Sequence, residues 1–126
     1  MTWSQFHERM AFMADIVDRA ATDPEAALAA ARASEALPRL FGDEDGLLLS
    51  LRHRWVTMLA AKLDQADYDD VPADRARADL AATHRGLRAL LDAASRRSVR
   101  VRALDRDEQR LIRLHGGHRT DGQTVA

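Results

Sequence analysis

Leu47-Leu48-Leu49-Ser50-Leu51-Arg52-His53-Arg54-Trp55-Val56-Thr57-Met58-Leu59-Ala60-Ala61-Lys62-Leu63 decides the fold. Leu47, Leu48, Leu49, Leu51, Trp55, Val56, Met58, Leu59 and Leu63 recur at helical spacing and cover more than one face. A helix that is apolar over so much of its circumference belongs in the middle of others. Asp43-Glu44-Asp45 precedes it. Three acids there complement the positive end of the helix dipole, and that capping role explains them without a metal. The helix is expected to reach about Ala66. Trp55 is expected to face inward, because Leu51, Met58 and Leu59 are its neighbours one turn away.

Before this segment the pattern predicts two helices. The first runs from about Trp3 to Ala21, with Thr2 and Gln5 as a capping box. Trp3, Phe6, Met10, Met13, Val17 and Ala20 form one seam along it, and Phe12 and Ile16 widen that seam. The second starts after Thr22-Asp23-Pro24-Glu25, with Thr22 or Asp23 as the cap, a proline suited to a first turn, and an acid. Ala26, Ala30, Ala33, Leu37 and Leu40 give it a narrow face. Pro38 is expected to end or kink it, and Phe41-Gly42 to close it.

After the central segment, the loop 67–72 leads to a fourth helix, 72–95. Its stripe reads Ala76, Leu80, Thr83 or His84, Leu87, Leu91 and Ala94. Gly86 weakens this helix locally or permits a close crossing. Val99-Arg100-Val101-Arg102 alternates, which predicts an extended connector with a possible short strand at Val99–Val101. A fifth helix is expected from Asp105, with Glu108 completing a capping box, and to stop at Gly116-Gly117. The fold class expected is therefore all-α, an up-and-down bundle of four to five helices. One domain spans 1–117, and 118–126 forms a flexible polar tail.

Composition limits the function classes. The 126 residues contain no cysteine, which excludes disulfides and thiolate zinc sites. No apolar run approaches the ~18 residues of a membrane span. No secretory signal is read at the N-terminus, so a cytoplasmic location is the default expectation. Residues 1–70 carry 13 acids and 7 bases, whereas 71–126 carry 7 acids and 12 bases. This asymmetry reads either as a basic binding face or, preferably, as attraction between the two parts within one fold or between two copies. Arginine outnumbers lysine 18 to 1. With so much alanine, codon composition explains this most simply.

No catalytic constellation is found. No Glu-x-x-His precedes any of His7, His53, His84, His115 or His118, which argues against a bundle di-iron site. His115-x-x-His118 has ligand spacing but spans two glycines, and a frayed helix end is the preferred reading. No serine sits in a Gly-x-Ser-x-Gly turn, and the glycines form no phosphate loop. Catalytic residues, cofactors and metals are accordingly all expected to be absent.

Three functional readings remain. The leading one is a non-catalytic protein-interaction or regulatory module. It would work as a homodimer through the first helix, with Trp3, Phe6, Met10 and Phe12 at the contact. The second is nucleic-acid binding by Arg96, Arg97, Arg100, Arg102, Arg106, Arg110 and Arg113. Against it, no aromatics interleave that stripe. The third is a small-ligand pocket near Trp55 and His84.

Overall fold

The computed structural model describes the backbone of residues 1–125 and the side chains of residues 1–115. The last helix runs on to Val125, past the stop expected at Gly116-Gly117, and the side chains of the expected tail 118–126 lie outside those described. The chain is all-helical. Among the described residues seven helices follow in order: α1 (Trp3–Ala20), α2 (Pro24–Ala33), α3 (Ala36–Phe41), α4 (Glu44–Asp69), α5 (Ala73–Thr83), α6 (Arg85–Ser95) and α7 (Val99–Val125). Among the described residues there is no strand, and no helix is long and apolar enough to cross a membrane.

The first half starts its helices where the caps predict. The Thr2 hydroxyl accepts from the Gln5 N–H at 3.1 Å, and the Gln5 side chain accepts from the Thr2 N–H at 3.0 Å. Asp23 accepts from the Ala26 N–H, and Asp43 from the Gly46 N–H. Each carboxylate or hydroxyl satisfies an N–H that has no partner inside its helix.

Helix count and register differ from expectation at several places. The second helix divides because Ser34 is extended, and Pro38 then falls in the first turn of α3, where a missing N–H costs nothing. Its buried face is Ala27, Leu28 and Ala31 rather than Ala26, Ala30 and Ala33. The expected helix 72–95 divides at His84 (φ −117°, ψ 54°) into α5 and α6. Gly86 there meets α1 directly. A Cβ built on it would lie 2.2 Å from the Val17 carbonyl oxygen and 3.3 Å from the Ala21 nitrogen. The chain bends at His84 so that the start of α6 can abut the end of α1. Gly86→Ala should therefore force two backbones apart, at a cost of about 1–3 kcal/mol. Urea titration reads this, and a loss below about 0.5 kcal/mol would show that the helices are not in backbone contact.

A further difference is at the C-terminal side. Val99–Val101 is neither strand nor connector but the first turn of α7, capped by the Ser98 hydroxyl, which accepts from the Val101 N–H. Val101 is buried and Val99 is left outside. Asp105 and Glu108 are then mid-helix residues, not a cap.

One core joins all seven helices. Trp55, Leu51, Leu59 and Leu63 of α4 and Leu90 and Leu91 of α6 are its fully buried centre. α6 packs on α1, α2, α4, α5 and α7, so this short helix shares the central position that the sequence assigns to α4 alone. The seam of α1 also shifts. Met13, Ile16 and Ala20 are buried, whereas Trp3 is 76% exposed and Phe6 41% exposed. The first two turns of α1 therefore present their aromatic side chains largely to solvent.

Candidate functional site

Two features stand out, one apolar and open, the other charged and closed. The open one is a groove of about 670 Å³ between α1 and α4. Helical spacing supplies its walls: Phe6, Met10 and Met13 from α1, and Leu49, His53, Arg54 and Met58 from α4. Met1 closes one end. The chain has four methionines, and all four line this groove. Methionine side chains are flexible and polarisable and adapt to a partner's shape. Arg9 spans the groove from α1, donating to Ser50 Oγ at 3.3 Å, with its guanidinium 5.0 Å from the Phe41 ring centroid. Arg9, His53 and Arg54 line the groove, and among the described residues no carboxylate does. At its edge Trp3 stacks on Phe6, with centroids 5.9 Å apart, and His7 meets the indole edge-on.

Of the four residues expected at a helix-1 contact, Phe6 and Met10 line the groove and Trp3 stacks beside it. Phe12 is not among the lining residues. It packs on Phe41 of α3, with centroids 5.5 Å apart.

The closed feature surrounds Trp55. Its indole N–H donates to Glu108 Oε1, and Arg88 and Arg77 lie over its ring at 4.8 and 5.9 Å from the centroid. Arg88 Nη1 donates to Glu108 Oε1 at 3.3 Å and Arg77 Nε to Oε2 at 3.1 Å. Arg52 reaches Asp105 at 2.5 Å and the Leu104 carbonyl at 2.7 Å. Arg52 is 3% and Glu108 4% exposed. Burial pushes the Glu108 carboxyl up. The Trp55 N–H and the charges of Arg88, Arg52 and Arg77 outweigh burial and hold it below the ordinary carboxylate value. Trp55 is thus a filled core position rather than an open wall, and His84 stands half-buried at the α5–α6 bend.

The arginine stripe is divided. Arg97 pairs with Glu25 at 2.6 Å, Arg96 with Glu25 at 3.6 Å and Arg100 with Asp45 at 3.7 Å. Arg102 donates to the Ser95 carbonyl. These contacts tie the basic second part of the chain to the acidic first part. Arg106, Arg110 and Arg113 are exposed along α7 and make no ion pair among the described residues.

Sequence reasoning missed Glu108, Arg52 and Arg88 as a buried cluster. The signal was the spacing Val101, Asp105, Glu108, Ile112, which puts both carboxylates on the face of α7 that carries its buried valine and isoleucine. No protein-family model, curated protein or solved structure matches the chain.

Proposed function

We propose that this protein is an interaction module that works as a symmetric homodimer, in which the exposed Trp3–Phe6 edge of one copy enters the α1–α4 groove of the other. The observation that supports the reading is that a single surface carries both a methionine-lined hollow and an exposed aromatic pair beside it. A two-fold interface needs the same patch on both copies to be self-complementary, and a hollow beside a projecting aromatic pair meets that need. Charge favours the same occupant. The groove is lined by Arg9 and Arg54, while α1 itself carries exposed Glu8, Asp15 and Asp18, of which Glu8 pairs with Arg39 at 2.8 Å and Asp15 with Arg19 at 3.0 Å and Asp18 makes no ion pair among the described residues. A second α1 laid across the groove brings opposite charges together. Aromatic anchors seated in apolar pockets are the usual source of interface energy.

Sedimentation equilibrium at micromolar concentration should give twice the 14.0 kDa chain mass. Trp3→Glu should return the protein to the monomer mass without loss of helical circular dichroism, because Trp3 contributes little to its own core. A wild-type protein that stays monomeric refutes the dimer. A dimer indifferent to both Trp3→Glu and Met10→Glu refutes this interface.

A further inference from the structure

We propose that Asp64 and Asp67 of α4, with His115 of α7, form a site for a first-row divalent transition ion such as Zn²⁺. Asp64 and Asp67 are three residues apart, so one face of α4 carries both carboxylates. α7 packs along α4 and sets His115 Nδ1 2.6 Å from Asp67 Oδ2. His115 thus docks on α4, while the side chain of His118 lies outside those described. One ligating atom from each of the three residues lies within 4.8 Å of the others. Ligands about 2.0–2.2 Å from a shared ion stand roughly 3–4 Å apart, so small rotations of these side chains close the set.

The donor chemistry selects the ion. Two carboxylate oxygens and one imidazole nitrogen suit Zn²⁺, Co²⁺ or Mn²⁺, whereas Ca²⁺ and Mg²⁺ take oxygen donors. Three protein ligands leave the remaining positions to water.

The end of α4 supplies a further electrostatic reason. Asp64, Asp67 and Asp69 fall within its last two turns and Asp70 is its C-cap, and no basic residue occupies the last turn. That is the negative end of the helix dipole, where anions are unfavourable and a cation is favoured. Asp69 accepts from the Gln65 amide at 2.9 Å, but Asp64 has no hydrogen bond or ion pair among the described residues. An ion held there joins α4 to α7 two turns beyond Glu108, at a point where α7 buries few apolar side chains. Metal binding and docking of α7 are then linked, and the ion should raise thermal stability.

The test uses the full chain in a non-coordinating buffer. Calorimetric titration with Zn²⁺ should show one ion per chain, Co²⁺ should give a visible absorption band, and Zn²⁺ should raise the melting temperature. Asp64→Asn and His115→Ala should each weaken Zn²⁺ binding by about 10-fold or more and abolish that rise. Asp64 is exposed and His115 is partly buried outside the main core, so both variants should fold. No Zn²⁺ binding up to millimolar concentration overturns the site. Binding that survives both substitutions undiminished also overturns it, because the ion then sits on other histidines. Tighter binding of Mg²⁺ or Ca²⁺ than of Zn²⁺ overturns the assigned class of ion.

Discussion

Trp55→Ala is expected to destabilise the fold by about 3–5 kcal/mol. The indole is fully buried between α4 and α6, so truncation removes one of the largest apolar contributions in the core. The space left is not purely apolar, because Glu108 and Arg88 border it. Water can enter and hydrogen-bond there, which moderates the cavity term. Trp55→Phe separates the two contributions. It retains most of the ring and deletes the N–H that donates to Glu108, a hydrogen bond to a charged group worth about 1.5–3 kcal/mol. Urea titration followed by circular dichroism gives both values. A loss under about 1 kcal/mol for Trp55→Ala would mean that the side chain is not in the core. Equal losses for the alanine and phenylalanine variants would mean that the hydrogen bond, not the packing, dominates.

How far the sequence carries is visible in particular residues. Thr2, Asp23 and Asp43 mark helix starts because a cap is a local event between residues two or three apart. Trp55 is legible as core because its own helix surrounds it with leucine. The bend at His84 is not legible. Leu80, Leu87 and Leu91 keep one helical period across it, and its cause is a backbone contact between Gly86 and Val17, 69 residues away. Val99 and Val101 alternate with arginine as a strand would, but the partner that buries Val101 is a helix. Asp105-x-x-Glu108 fits a capping box and an inward carboxylate pair equally well, since both need a spacing of three. Only the distant Arg52, Arg77 and Arg88 distinguish the two. The groove shows the same limit. Met10, Met13 and Met58 read as ordinary seam residues, and their convergence on one hollow depends on how α1 and α4 diverge.

Glu108 is where the second large effect is expected. Glu108→Gln should cost about 3–5 kcal/mol, because it leaves guanidinium charges buried without their counter-charge. Arg77 is the least buried of the three partners and can turn toward solvent, and Asp105 and Asp92 still face Arg52 and Arg88, so the lower end of that range is expected. The effect must depend on pH in a defined sense. The folded Glu108 carboxyl titrates below its ordinary value of 4.5. The stability it contributes is fully present above that ordinary value and is lost as pH falls through the lower folded one. Wild type and Glu108→Gln should therefore differ most near neutrality and converge in acid, where both side chains are uncharged. Urea titrations of the two proteins from pH 7 down to about 3 measure that difference directly, and the other titrating groups cancel to first order. A constant gap would show that shape rather than charge holds the residue. The companion variant replaces Arg52, Arg88 and Glu108 together by Met, Met and Leu on a Trp55→Phe background, compared with Trp55→Phe alone, so that no buried indole N–H loses its acceptor. Arg52 Nε has no hydrogen-bond partner among the described residues, so the network is already incompletely satisfied. An apolar substitute of similar volume should then be neutral or stabilising. If it is, the charges contribute to placing α7 in one register on α4, α5 and α6 rather than to net stability. If the triple replacement costs as much as Glu108→Gln, the network itself holds α7 down.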